Sequence, residues 1–121
     1  MFRVAIIGAA VLIGAAVFAF AKDAEKSCDG STYEIVECQK SKLAVLNKRL
    51  NAAYQKALRM AQSEKQEEQL RVAQRAWLKF RDADCDYYEL GEGTIARIEG
   101  GVCMLTLTQQ RAEELERAVE P

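Results

Sequence analysis

Residues 62–69 read QSEKQEEQ, and they interrupt a chain that is otherwise periodic. Neither glycine nor proline occurs between Thr32 and Leu90, so the whole region is helix-permissive. Before the interruption Ile35, Leu43, Leu46, Leu50, Ala53, Ala57 and Met60 recur at three- and four-residue steps. After it the pattern resumes at Leu70, Ala73, Trp77, Phe80, Asp84 and Tyr87. Both are apolar stripes of helical period. On one continuous helix, at 100° per residue, the second stripe lies on a different side of the cylinder from the first. A single rod then exposes two unrelated apolar faces. Ser63-Glu64-Lys65-Gln66 reads as a capping box placed where the stripe disappears. The segment therefore predicts a chain reversal and an antiparallel helical hairpin.

Working outward, Ser31-Thr32-Tyr33-Glu34 is a second capping box and opens the first helix. Past Leu90, GEGTIARIEGG (residues 91–101) has four glycines in eleven positions and reads as a loop or irregular segment. A third helix follows, with Met104, Thr108, Arg111 and Leu115 along one face. The expected helices are Thr32–Gln62, Glu64–Leu90 and Val102–Val119. The fold class is all-α, an antiparallel helical hairpin plus a third C-terminal helix.

The N-terminal residues bear on compartment. Arg3 precedes an uncharged apolar run, Val4 to Phe20, that closes with Ala19-Phe20-Ala21. This is the pattern of a secretory signal with cleavage after Ala21. Residues 1–21 are read as the signal peptide and 22–121 as one helical domain, periplasmic or secreted. A lipid anchor is disfavoured because Glu25-Lys26-Ser27, not small apolar residues, precede Cys28. Of the 17 basic and 18 acidic side chains only Arg3 precedes Lys22, leaving 16 against 18 and a net charge near −2. No basic stripe suggests nucleic acid as a partner. No membrane contact is expected once the signal is removed. A domain this short buries only about 60–65% of its unfolded surface, so covalent staples suit it. Its four cysteines meet that need in an oxidising compartment.

The composition argues against an enzyme. The chain has no histidine, the usual general base, metal ligand and partner of a nucleophile. The cysteines are separated by 9, 46 and 17 intervening residues, without the paired spacing of a zinc or thioredoxin-type site. Glu67-Glu68 and Glu113-Glu114 fall on polar helix faces, and Gly91-Glu92-Gly93 lacks the rest of a phosphate cradle. No cofactor is implied. Tyr54, Trp77, Phe80, Arg81, Asp82, Arg111 and Leu115 are assigned to the structural core, with Trp77 buried between the first two helices. Arg81 and Arg111 are read as clamps between helices, because an unpaired buried charge is expensive. Asp82, Asp84, Asn47 and Asn51 are their candidate partners.

The elements just described resemble the LprI-type lysozyme-inhibitor family. The likeness rests on Cys28 and Cys38; on Leu46-Asn47, Leu50-Asn51 and Tyr54; and on Gln74-Arg75-Ala76-Trp77. It continues through Phe80-Arg81-Asp82-Ala83 with Cys85, then Cys103, Leu107-Thr108, Arg111 and Leu115. It covers almost all of the chain after residue 21. The resemblance implies a small exported helical domain and an activity against lysozyme. It transfers no inhibitory residues. The named type is a lipoprotein, and this chain departs from it in lacking the lipobox.

Four cysteines allow three pairings. Cys38 and Cys85 lie on opposite flanks of the hairpin, which disfavours joining them. Of the remaining two pairings, Cys28–Cys38 with Cys85–Cys103 closes two short loops and is preferred. An inhibitor needs a rigid scaffold presenting a loop, and Glu89, Glu92 and Glu99 around residues 91–101 are the expected contacts to a basic lysozyme. The competing expectation is a periplasmic structural or adaptor module that binds another envelope protein through the same segment.

Overall fold

The computed structural model describes residues 27–120, so the expected signal peptide and its cleavage point lie outside the described residues. Three helices follow in order: α1, Thr32–Arg59; α2, Glu64–Glu89; and α3, Ile95–Ala118. Among the described residues there is no strand. The fold is all-α.

Local chemistry sets the ends of α1 and the start of α2. The Ser31 hydroxyl accepts from the Glu34 N–H at 3.3 Å, and Glu34 Oε2 accepts from the Ser31 N–H at 2.8 Å. The Ser31 hydroxyl also donates to Glu34 Oε2 at 2.8 Å, and the Ser31 N–H first and this hydroxyl second hold the Glu34 carboxyl below its ordinary pKa. The chain leaves α1 at Met60 and re-enters helix after Ser63, whose hydroxyl accepts from the Gln66 N–H at 3.1 Å. This second box is half formed, because Gln66 Oε1 accepts from the Gln62 N–H at 2.6 Å instead of from Ser63. The interruption in the sequence is a turn, as its phase predicts.

The core lies between α1 and α3. Leu50, Ala53 and Ala57 of α1 pack on Ala112, Leu115 and Val119 from the C-terminal end of the chain. Ala53, Ala57 and Ala112 are small enough to let the two backbones approach. Leu50 and Leu115 then bury nearly all their surface, each contributing about 1.5–3 kcal/mol. The third helix also packs along α2, whereas α1 and α2 touch sparsely. α3 therefore fills the crease of the hairpin. Tyr54, Leu70 and Trp77 are partly buried and close the side of the core. Across its outer edge Arg49 grips Glu116 with two bonds of 2.7 Å. That contact lowers the Glu116 pKa and raises the Arg49 pKa.

Three sequence expectations need correction. Trp77 is not enclosed between α1 and α2 but half-buried against the α1–α3 core. Phe80 is 56% exposed, and Asp82 is exposed too, so neither is a core residue. The inward line of α2 is Leu70, Gln74, Trp77, Arg81 and Cys85, rotated by roughly 70° from the apolar stripe of the sequence. Its polar members have partners on the other helices, and those partners set the rotation.

The third helix begins at Ile95, seven residues before the expected Val102. The expected eleven-residue loop shrinks to the turn between Leu90 and Ile95. The reason lies at Gly101, where a β-carbon would collide with the side-chain amide of Gln39. Gln39 is buried and donates from Nε2 to the Ile98 carbonyl at 3.1 Å. The glycine is there for close helix approach, not to break the helix. Disulfides complete the frame: Cys28–Cys38 ties the entering segment to α1, and Cys85–Cys103 ties α2 to α3.

Candidate functional site: the α2–α3 turn

The stretch that crowds Trp, Arg, Asp and Cys together on α2 is a clamp. Arg81 is 8% exposed, and its Nη1 donates to Asn47 Oδ1 at 3.4 Å and to Thr108 Oγ1 at 3.3 Å. Its Nε and Nη2 face the Asp82 carboxylate at 3.0 and 2.9 Å. One guanidinium thus joins all three helices. Arg111 donates from Nε to Gln74 Oε1 at 3.1 Å and pairs with Glu114 at 3.0 Å. Both guanidinium carbons stand over the Trp77 ring, at 5.3 Å for Arg81 and 6.0 Å for Arg111. A cation above an indole face is attracted by the ring quadrupole. Tyr54 and Leu115 sit in or against the neighbouring core. These side chains fasten helices together, and their donors are already directed at protein acceptors.

What the clamp holds in place is the turn between α2 and α3. The Leu90 N–H donates to the Asp86 carbonyl at 2.9 Å and the Gly91 N–H to the Tyr88 carbonyl at 3.1 Å. Gly93 takes φ +77°, a conformation that side-chain-bearing residues rarely adopt, and the Ala96 N–H returns to its carbonyl at 3.4 Å. Cys85–Cys103 bridges the helices just behind, with Cα atoms 5.4 Å apart. Ala96 and Gly100 are buried under the turn. The backbone is therefore braced on three sides: by the disulfide, by the buried start of α3 and by Gln39 from α1.

The side chains on this braced turn face outward. Leu90 is 85% exposed, Tyr87 77% and Ile95 55%. Tyr88 meets Tyr87 edge-to-face at 5.3 Å. Several large apolar groups are thus left in water at one end of the domain. Between Arg81 and Arg111 the chain carries six carboxylates and one basic residue, Arg97. Glu89 ends α2, Glu92 lies within the turn and Glu99 lies on the second turn of α3; all three are exposed. The exposed apolar residues were missed from sequence, where Tyr87 counted as stripe and Leu90 as a helix end.

At the opposite end of the bundle a shallow groove of about 330 Å³ lies among Ala57, Met60, Leu70, Ala73, Leu115 and Val119. It is apolar and open.

The model of the family described as lysozyme inhibitor LprI matches residues 23–115. The chain belongs to the LprI family. No curated protein matches it, and no solved structure does. Membership of LprI points to a protein partner such as lysozyme and to an inhibitor instead of an enzyme. The two disulfides fit an extracellular location. Among the described residues no helix is long and apolar enough to cross a membrane.

Proposed function

We propose that this LprI-family protein inhibits lysozyme by seating its α2–α3 turn in the mouth of the enzyme's glycan cleft. The observation that carries the reading is a set of exposed apolar side chains, Tyr87, Leu90 and Ile95, on a backbone the fold has already braced. Lysozyme works with two carboxyl groups in a cleft, so an obstructing protein stops it without doing any chemistry. Binding energy in such contacts concentrates in a few anchors that leave water completely. Tyr87 and Leu90 are the natural anchors here, being large, apolar and almost fully solvated in the free protein. Preorganisation removes much of the ordering cost that a mobile loop would carry.

Charge supports the same face. Glu89, Glu92 and Glu99 surround the anchors and suit the basic surface of a host-defence lysozyme. Such groups act mainly on the encounter rate. The test is a cell-wall clearing assay with purified exported protein, run as a titration against lysozyme at low and raised salt. Inhibition that saturates at a fixed stoichiometry, with association slowed by salt, is the expected result. Undiminished clearing at excess protein overturns the reading and favours an adaptor for another envelope protein.

A further inference from the structure

Beyond its first two turns the solvent face of α1 is cationic. Between Gln39 and Ser63 the sequence holds six basic residues and no acidic one, whereas residues 64–120 hold 13 acidic and 8 basic residues. Two of the six are engaged: Lys40 with Glu37 at 2.8 Å and Arg49 with Glu116 at 2.7 Å. Lys48, Lys56 and Arg59 are exposed, and among the described residues no carboxylate stands within ion-pair distance of them. At 100° per residue these three share a sector of roughly 160° with Lys40, opposite the buried line of Leu50, Ala53 and Ala57; the two carboxylates of α1, Glu34 and Glu37, lie in that sector only within its first two turns, Glu37 paired with Lys40. The floor between them is low, made of Ser41, Ala44, Val45 and Ala52, all exposed. Lys40 to Arg59 spans about 29 Å of straight helix. The acidic α2–α3 turn lies at the end where α1 begins, so opposite charges occupy separate parts of one small molecule.

We infer that this face of α1 docks on an anionic phospholipid surface. The cations are spread along an open, pocketless face, which suits many phosphate head groups in a plane better than one small anion. The contact is peripheral, with head groups only, and departs from the sequence expectations of no basic stripe and no membrane contact. Repulsion of the acidic turn from the same surface leaves that turn free for a basic partner. The inference rests on α1 alone and stands or falls separately from lysozyme inhibition.

Flotation of the exported protein with vesicles tests it. Vesicles of mixed phosphatidylglycerol and phosphatidylcholine should carry the protein at low salt and release it as salt rises. The triple variant Lys48→Gln, Lys56→Gln, Arg59→Gln should partition about 100-fold less, each basic side chain near the surface being worth about fivefold. The three side chains are solvated, so circular dichroism and lysozyme inhibition should match the parent protein. Equal partition of parent and variant overturns the inference, as does equal binding to phosphatidylcholine alone. Retention on soluble polyphosphate with none on vesicles also overturns it, and would reassign the face to a linear polyanion.

Discussion

The Arg81 guanidinium stands 5.3 Å from the centre of the Trp77 ring while donating across the domain to Thr108. Stacking and hydrogen bonding therefore compete for one side chain and are both satisfied. Arg81→Ala should destabilise the protein by about 2–3 kcal/mol in urea or guanidinium unfolding. Most of the loss comes from Thr108, wholly buried and left without its donor. Arg81→Lys should recover only part of it, because an ammonium cannot both stack and fork. A lysine variant as stable as the parent would mean that charge alone matters there.

Trp77 and Phe80 lie three residues apart and should behave oppositely. Trp77→Ala empties a site packed on the core and beneath two guanidiniums, and should cost about 2–4 kcal/mol. Phe80→Ala removes a ring that is mostly in water and should cost less than about 0.5 kcal/mol. Equal losses in chemical unfolding would restore the sequence stripe as the inward face of α2.

Gly101 predicts a rescue. Gly101→Ala drives a β-carbon into the Gln39 amide and should destabilise by about 1–3 kcal/mol. Combined with Gln39→Ala the added cost should shrink, since the colliding group is gone, and a double-mutant cycle would show strong coupling. Additive losses would argue against this contact between α1 and α3.

The Arg49–Glu116 pair gives a pH signature. Its carboxyl titrates below the ordinary value of 4.5, chiefly through the hydrogen bond from Arg49. A depressed folded pKa contributes stability above the unfolded value and loses it as pH falls through the folded one. Both side chains are more than a third exposed, so the contribution is at most about 0.5 kcal/mol. The stability gap between parent and Glu116→Gln should therefore be constant from pH 5 to 8 and close below about pH 4. A gap that persists in acid would show that shape, not charge, makes the contact.

Features decided by neighbours in sequence were legible before any coordinates. The Ser31 and Ser63 caps, the reversal after Met60 and the short-loop pairing of Cys85 with Cys103 all depend on local spacing. Features decided by distant partners were not. Apolar periodicity favoured Phe80 as inward, but α2 is turned by Gln74 and Arg81, whose partners Arg111 and Thr108 lie on a helix far along the chain. The glycines at 100 and 101 looked like breakers because what they accommodate lies on other helices: Gly101 faces Gln39, some sixty positions away, and Gly100 faces the backbone and β-carbon of Glu89 on α2. The acidic side chains around the α2–α3 turn, Glu89, Glu92 and Glu99, were legible in the sequence. Its apolar anchors were not, since Tyr87 and Leu90 are hydrophobic in any window and only the fold leaves them outside.

The claim most in need of a direct test is that the braced α2–α3 turn is the inhibitory element. The measurement is lysozyme clearing of cell walls, titrated with the exported protein and with its Tyr87→Ala, Leu90→Ala double variant. Both residues are solvated, so the variant should unfold at the same denaturant concentration as the parent. The account predicts inhibition by the parent and at least a tenfold weaker effect of the variant, which corresponds to about 1.4 kcal/mol of lost binding. Equal inhibition by a fully folded variant would contradict it and move the inhibitory surface elsewhere on the molecule.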